Sequence, residues 1–206
     1  MNISEESTWE LELDLMGKAS SEIQKGNYET AFESLNEVLS VNPMKWEAYK
    51  WRGLLYAGSG NYQKAIEDFN RAINIILNDS NVNDSVTMEI YYDLGKVFES
   101  IYFSNEFLES IEYLSQAITI YDKILQEYPK CIPPRYRRGG IFYYVGMKAD
   151  DGEELLRRAV EDFDFILENE PKNMDTTMKE DAILKRNLAR TLLGGDISWL
   201  QNDVDA

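Results

Sequence analysis

The sequence predicts an all-α protein built from about four helix-turn-helix pairs and a C-terminal capping helix. Two observations lead to this prediction. The triplet Gly26-Asn27-Tyr28 recurs as Gly60-Asn61-Tyr62, an offset of 34 residues that is typical of stacked helical repeats. The apolar residues of each segment fall at helical spacing. The five prolines fall between these helical patterns, where helix breakers belong.

The apolar spacing and the turn residues set the predicted boundaries. First helices of the pairs are predicted near residues 8–24, 45–58, 86–103 and 134–147. Second helices are predicted near 28–41, 62–77, 106–128 and 152–169. The last helix is predicted near 176–193, because Gly194-Gly195 is a typical helix stop. Residues 1–206 would then form one repeat domain, with repeats near 8–43, 45–78, 86–128 and 134–171 and a flexible tail at 196–206.

Three segments depart from the regular repeat. Asn78 to Ser85 is polar and is predicted to be an exposed loop. The second helix of the third pair is predicted to be unusually long, from Ser110 to Tyr128. The acidic run from Asp150 to Glu154 is expected to lengthen a turn or to open the next helix, where carboxylates complement the helix dipole. Irregular repeats favour an array shaped for one partner.

The composition argues against several classes of function. Asp and Glu total 37 against 21 Lys and Arg, so the formal charge is −16 and a nucleic acid would be repelled. The sequence has no histidine, which removes His-based catalysis and most zinc sites. Residues 1–14 lack the basic and apolar regions of a signal peptide, and no stretch approaches about 18 apolar residues. We therefore expect a cytoplasmic protein with neither nucleic-acid nor membrane partners.

The candidate chemical motifs are incomplete. A calcium loop beginning at Asp79 would have Asp84 in place of the required glycine and Ile90 in place of the bidentate glutamate. The glycines of Gly53 to Ser59 have the spacing of a phosphate loop but lack the lysine and lie in a helical pattern. Cys131 is either a slightly acidified thiol or, as we favour, a small buried or linker residue. We therefore predict no catalytic residue, no metal and no cofactor, and expect that the protein is not an enzyme.

The segment from Trp46 to Leu77 carries small and aromatic residues in a characteristic order. These are Tyr49, Gly53, Tyr56, Gly60, Tyr62, Ala65, Phe69 and Ala72. In these residues the sequence resembles the tetratricopeptide repeat family, and residues 16–43, 90–121 and 134–171 match the pattern less regularly. The resemblance implies a right-handed α-solenoid that binds a protein or peptide in its concave groove.

The resemblance also implies which residues line that groove. In the family, the inner face uses positions two, five, six, nine and twelve of each first helix. With Gly53, Gly95 and Gly140 aligned at position eight, position five holds Lys50, Tyr92 and Arg137, and position six holds Trp51, Asp93 and Arg138. Position nine holds Leu54, Lys96 and Ile141, and position twelve holds Ala57, Glu99 and Tyr144. The predicted peptide-binding residues are Lys50, Leu54, Tyr92, Lys96, Arg137, Arg138, Ile141 and Tyr144.

The sign of the partner's charge stays open at this point. Lys130 to Lys148 contains five cations and no acid, so it either neutralises acidic helices or docks an acidic segment of a partner. A clamp for a C-terminal carboxylate, as in chaperone-binding members of the family, is disfavoured. Leu54 and Asp93 stand where that clamp needs asparagines, and Pro134 stands where it needs a lysine.

The leading hypothesis for function is a non-enzymatic adaptor or scaffold that binds a peptide or protein segment. The alternative is a self-assembling repeat protein, in which the array or the tail containing Trp199 mediates homo-oligomerisation. An enzyme or a nucleic-acid-binding protein is the least supported class, because no nucleophile–base pair is evident and the net charge is strongly negative.

Overall fold

The computed structural model describes residues 5–78, 83–104 and 111–194, with side chains described from residue 8 onward. The regular elements in these ranges are all α-helices, which confirms the predicted all-α repeat class. They are α1 (Glu5–Lys25), α2 (Tyr28–Val41), α3 (Trp46–Gly58), α4 (Tyr62–Leu77), α5 (Asp84–Ser104), α6 (Ile111–Glu127), α7 (Ile132–Lys148), α8 (Glu153–Glu168) and α9 (Thr176–Leu192). The predicted tail, with Trp199, lies outside the described residues.

The chain divides into two compact units. Unit 1 comprises residues 1–113 and contains α1 to α5, whereas unit 2 comprises residues 114–206 and contains most of α6 together with α7, α8 and α9. In unit 1, α1 pairs with α2 and α3 pairs with α4, and α5 packs on α4. In unit 2, α7 pairs with α8, and α9 packs on both.

Several predicted boundaries need correction. Helix α5 begins at Asp84, so Asp84 and Ser85 are helical and do not belong to the polar loop. The Asn83 side chain accepts a hydrogen bond from the Ser85 backbone N–H at 3.0 Å, and this contact stabilises the new helix start. The described part of α6 has 17 residues, Ile111–Glu127, and the predicted extension over residues 106–110 lies outside the described residues. Helix α7 begins at Ile132, so Pro133 lies in its first turn. Proline is tolerated there because the N–H that it lacks would have no acceptor within the helix.

The 34-residue repeat has a physical basis in the turn that joins each helix pair. Gly26 and Gly60 both adopt positive φ angles, 78° and 76°, which only glycine reaches without strain. The backbone N–H of Asn27 then donates to the Glu22 carbonyl at 2.8 Å, and that of Asn61 donates to the Tyr56 carbonyl at 2.8 Å. These bonds satisfy the last carbonyls of α1 and α3, as in a Schellman motif.

Each unit has its own apolar core. In unit 1 the core includes Leu15, Met16, Ala19, Leu35, Val38, Leu39 and Ala48. In unit 2 it includes Phe142, Ala159, Phe163, Ile166 and Ala182. Because each core draws on three or more helices, no single helix pair buries its apolar face alone, as expected of stacked repeats.

A glycine on α3 sets how closely α3 and α4 approach. A methyl group on Gly53 would lie 3.2–3.3 Å from three carbons of the Phe69 ring. Beside this contact, Arg52 of α3 donates two hydrogen bonds to the buried Asp68 of α4, at 2.8 and 2.7 Å. The same α3–α4 contact is therefore held by close packing and by a charge-assisted bidentate pair.

In unit 2 the equivalent glycine is Gly139, and the predicted alignment on Gly140 is wrong. A methyl group on Gly139 would lie 3.3 Å from the Phe163 ring and 3.0 Å from Asp162 Cβ, whereas one on Gly140 would meet nothing within 4 Å. Arg138 precedes Gly139 and pairs with Asp162, just as Arg52 precedes Gly53 and pairs with Asp68. The offset between the two units is therefore 86 residues, from Gly53 to Gly139, and every predicted groove position in α7 moves by one residue.

The same offset of 86 residues holds over a long stretch of both units. Residues 28–58 correspond to residues 114–144 without a gap. The matched core residues are fully or almost fully buried in both units: Ala31 with Ala117, Leu35 with Tyr121, and Ala48 with Pro134. Pro43 and Pro129 occupy the same place in the connection to the following first helix.

The correspondence ends where unit 2 gains residues between α7 and α8. Gly139 and Phe163 are further apart in sequence than Gly53 and Phe69, yet they make the same contact. The extra residues extend α7 to Lys148 and form the turn before Glu153. There the backbones of Gly146 and Gly152 approach so closely that neither position has room for a side chain.

The register in unit 2 predicts opposite effects of two adjacent substitutions. Gly139→Ala should destabilise the protein by about 1–3 kcal/mol, because the new methyl overpacks the contact with Phe163. Gly140→Ala should stabilise it by about 0.5–1 kcal/mol, because alanine is the better helix former and has room there. Urea unfolding followed by circular dichroism measures both. If Gly140→Ala destabilised the protein as much as Gly139→Ala or more, the alignment on Gly139 would be contradicted.

A polar contact ties α1 to the connection between α2 and α3. The Glu12 carboxylate accepts a hydrogen bond from Asn42 Nδ2 and lies 2.7 Å from Lys45 Nζ. Burial alone would raise the pKa of Glu12, but the hydrogen bonds from Lys45 and Asn42 outweigh it and lower that pKa. The contact therefore favours the ionised carboxylate.

We predict that the Glu12 contact contributes stability only while the carboxylate is ionised. Because its pKa is lower in the folded state, the stabilisation is complete above the unfolded pKa of about 4.3 and is lost as pH falls through the folded pKa. Glu12→Gln should cost about 1 kcal/mol at pH 7 and progressively less below pH of about 4. Unfolding curves of both proteins at pH 7 and in acid test this. A cost that does not change with pH would contradict it.

Candidate functional site

A pocket opens between α1 and α3 of unit 1. It has a volume of about 330 Å³ and is lined by Ser20, Ile23 and Gln24 of α1 and by Trp51, Leu54 and Leu55 of α3. The 34-residue offset matches Ser20 to Leu54 and Ile23 to Ala57. Ser20 and Leu54 thus share position nine, Ile23 holds position twelve and Trp51 holds position six, so four of the six lining residues stand at positions that are expected to face inward. We call the surface formed by the inner-face positions of α1, α3 and α5 the unit 1 groove.

Exposed apolar side chains on α1 continue the lining of this pocket. Trp9 is 54% exposed and Leu13 is 64% exposed, although both are large apolar residues. Their spacing places them on the face of α1 that also carries Gly17 and Ser20. A methyl group on Gly17 would meet nothing within 4 Å, so the surface is open at that point. The result is an apolar stripe along α1 that leads to the pocket beside Trp51.

Lys50, the first of the predicted binding cations, is engaged within the protein. Its Nζ lies 2.7 Å from Glu89 Oε1 on α5. The Lys50 side chain is only 12% exposed, whereas the Glu89 side chain is 58% exposed. A ligand approaching this pair from solvent would therefore meet the carboxylate before the ammonium group.

Tyr92 and Lys96, both on α5, contact each other. Lys96 Nζ lies 5.6 Å from the centre of the Tyr92 ring and donates a hydrogen bond to Asp93 Oδ1 at 3.2 Å. Lys96 is thus neutralised by a carboxylate one turn away, although its side chain remains partly exposed. In unit 1, Leu54 is the predicted residue that lines the pocket directly.

Arg138 is part of the framework that joins three helices of unit 2. Its Nε and Nη2 donate to the buried Asp162 of α8 at 2.9 and 2.6 Å, and its Nη1 donates to Asp122 of α6. Burial lowers the pKa of the Arg138 guanidinium, but these hydrogen bonds outweigh burial and raise that pKa above its usual value. Arg52 makes the corresponding contacts in unit 1, with Asp68 and Asn36. Both arginines therefore have a structural role, because their hydrogen bonds join neighbouring helices.

Ile141 is also removed from the surface. It is 2% exposed and corresponds to Leu55 under the offset of 86 residues. A residue buried to this extent cannot contact a peptide while the fold is intact. The prediction that Ile141 binds a ligand is corrected on these grounds, and the error follows from aligning Gly140 in place of Gly139. Arg138 lines an open pocket with Arg135 and Arg158, and its role as a ligand contact stays a prediction.

The corrected alignment gives unit 2 a different set of inner-face residues. Position five becomes Tyr136, position six Arg137, position nine Gly140 and position twelve Tyr143. The Tyr136 hydroxyl donates to Asp181 of α9, much as Lys50 contacts α5 from the same position. Tyr144 accepts a hydrogen bond from Lys148, whose Nζ lies 4.3 Å from the centre of its ring. Arg137 and Tyr144 remain predictions as ligand contacts.

Sequence reasoning missed the part of the pocket that α1 contributes. Ser20, Ile23 and Gln24 were not assigned because the first repeat matches the family pattern mainly in its second helix. The signal was available, since the offset from Gly26 to Gly60 transfers positions nine and twelve of α3 directly onto α1. Trp51 occupied an inner-face position in the alignment but was left out of the predicted binding set.

Within the described residues, potential metal-ligating side chains form no group of three or more. None of the described helices has the length and apolar content of a membrane span. Cys131 stands at the N-cap of α7. Burial raises the pKa of its thiol, although Arg135 opposes the effect. This favours the interpretation of Cys131 as a structural residue.

The family comparison agrees with the geometry of unit 1. Residues 16–81 match the model of the tetratricopeptide repeat, and this segment contains the six residues that line the pocket. No curated protein is a significant match to the chain.

Solved structures extend the likeness of the fold beyond that segment. A tetratricopeptide repeat protein from Parabacteroides merdae is 19% identical with a TM-score of 0.66, covering 90% of this chain and 61% of that one. YrrB, described as a tetratricopeptide repeat protein with an unusual peptide-binding site, is 17% identical with a TM-score of 0.61, covering 91% and 80%. MamA is 24% identical with a TM-score of 0.58, covering 77% and 78%. At these identities the likeness concerns the fold alone.

The contacts of Arg138 predict a loss of stability on its removal. Arg138→Gln should cost about 2 kcal/mol, because the buried Asp162 loses its bidentate partner and keeps only the single contact with Arg135 at 3.1 Å. Arg157→Gln is the matched control, since Arg157 forms an exposed pair with Glu153 on one helix and should change stability by less than about 0.5 kcal/mol. Urea unfolding compares the two variants. Equal stabilities would show that Arg138 is free for another role.

Proposed function

Residues 16–81 belong to the tetratricopeptide repeat family, and on that premise we propose that the chain is a non-enzymatic interaction adaptor whose unit 1 groove binds a peptide or protein segment. The observation that carries the proposal is the open apolar pocket between α1 and α3, with Trp51 and Leu54 in its lining. A pocket of about 330 Å³ is in the range that ligand sites occupy. It is large enough for a bulky apolar side chain.

The continuity of the apolar surface supports a segment as the ligand. Trp9, Leu13 and the pocket lie along one face of α1 over about 22 Å, from the rise per residue of a helix. A small molecule would fill the pocket alone, whereas an extended peptide of about seven residues would also cover the stripe. The likeness of the fold to YrrB, whose description names a peptide-binding site, points in the same direction.

Self-assembly is the second candidate function. It is favoured by the exposure of Trp9 and Leu13, because exposed apolar residues in a cluster often mark a contact between proteins. Under this alternative the apolar stripe of one copy would cover that of another. A molecular mass that rises with protein concentration in light scattering would support self-assembly over the binding of a foreign segment.

The adaptor proposal predicts that a charge in the pocket abolishes peptide binding. Selection from a random peptide display library should yield ligands of the wild-type protein, and Leu54→Arg should lose them because it places a cation in the apolar lining. We expect the affinity for a selected peptide to fall at least about tenfold, measured by isothermal titration calorimetry.

Leu77→Arg provides the control for this test. Leu77 is exposed at the end of the second helix α4 and does not line the pocket, so the same substitution there should leave binding unchanged. Circular dichroism should give the same helicity for both variants. A library that yields no ligand for the wild-type protein, or peptides that bind Leu54→Arg equally well, would contradict the proposal.

A further inference from the structure

The negative charge of the protein is concentrated in unit 1. Residues 1–113 contain 20 acidic and 8 basic residues, a net charge of −12, whereas residues 114–206 contain 17 and 13, a net charge of −4. A field of one sign attracts ligands of the opposite sign and lowers the approach rate of like-charged ones. Any segment that reaches the unit 1 groove must first pass through this field.

The local charges of the groove have the same sign. At the inner-face positions of α3 and α5, three carboxylates that reach the surface accompany two ammonium groups: Glu47, Glu89 and Asp93 with Lys50 and Lys96. Glu99, at the fourth acidic position, is buried. Lys50 is nearly covered and paired with Glu89, so the accessible part of that pair is the carboxylate. Lys96 is more exposed than its partner Asp93, but its charge is balanced at 3.2 Å.

We propose that the unit 1 groove binds a cationic segment that carries a large apolar side chain. The apolar side chain occupies the pocket of Ile23, Trp51 and Leu54, and a Lys or Arg of the segment contacts Glu89. This proposal rests on the proposed function and specifies the partner that the groove accepts. It reverses the sign of the acidic segment that the sequence offered as one candidate.

The preference for a cationic ligand follows from the ion pair that Lys50 already forms with Glu89. An acidic ligand could reach Lys50 only by displacing Glu89, so it would exchange one ion pair for another and gain little net free energy. A cationic ligand instead adds a second positive group to an exposed carboxylate and leaves the pair intact. The apolar stripe of Trp9 and Leu13 then sets where the uncharged part of the segment lies.

Two synthetic peptides test the proposal directly. Both carry the same apolar core, Leu-Ile-Leu, and they differ only in having lysines or glutamates on each side of it. Fluorescence anisotropy of the labelled peptides with the full chain should show at least about tenfold tighter binding of the lysine form at low salt. The difference should shrink in 0.5 M salt, because mobile ions screen exposed charges over about 4–5 Å at that concentration. Leu54→Arg should abolish binding of the lysine form.

A matched pair of variants separates Glu89 from the general field of unit 1. Glu89→Gln should weaken binding of the lysine peptide by about threefold, the effect of one exposed ion pair. Glu33→Gln removes an equal charge from the exposed face of the second helix α2 and should leave the affinity nearly unchanged. Equal effects of the two variants would mean that the peptide senses net charge alone, which overturns the assigned contact.

The remaining outcomes separate this proposal from the adaptor function. Equal affinities for the two peptides, tighter binding of the glutamate form, or no binding of either form would overturn the cationic partner. The adaptor function survives any of these results if the display library still yields a ligand that Leu54→Arg loses, and fails if it does not. A dimer of the unliganded protein that Leu54→Arg dissociates would identify a second copy as the occupant, and this also overturns the proposal.

Discussion

The contact between a glycine of one helix and a phenylalanine ring of the next fixes the geometry on which the candidate site depends. Gly53 against Phe69 in unit 1, and Gly139 against Phe163 in unit 2, bring each first helix close to its partner. Because a helix has a fixed angular period, the contact at position eight decides which residues face the core and which face the groove. A shift of one residue, as between Gly139 and Gly140, rotates the whole inner face by about 100°.

The charged side chains at and near the helix contacts mostly form ion pairs within the protein. Arg52 and Arg138 lie beside the glycine contacts and satisfy carboxylates that the helix pairs bury. Leaving a buried carboxylate without such a partner would lower the free energy of unfolding, so these arginines are needed for stability. Counting cations along the sequence therefore overestimates the positive charge available to a ligand. In a pair such as Lys50 with Glu89, the more exposed partner determines which charge a ligand meets first.

Much of the fold could be predicted from the sequence, because the relevant signals are local. The repeated Gly-Asn turn and the helical spacing located α2 and α4 at the residues where the structure has them. The site was less accessible to prediction. The spacing of aromatic residues favours Gly140, which has Tyr136 four residues before it, over Gly139, which has Arg135 there, and only the position of the Phe163 ring identifies Gly139. The pairing of Lys50 with Glu89 joins residues of two different helices, so the spacing of residues along the sequence does not predict it.

The gapless correspondence of residues 28–58 with residues 114–144 shows which contacts the two units share. Five of the 31 matched residues are identical, and two of these matches, Arg52 with Arg138 and Gly53 with Gly139, belong to the contacts that hold the helix pairs together. At position five the units differ, since Lys50 contacts α5 and Tyr136 contacts α9. A substitution at such a position can therefore change what a unit presents to a ligand while the packing of its helix pairs is kept.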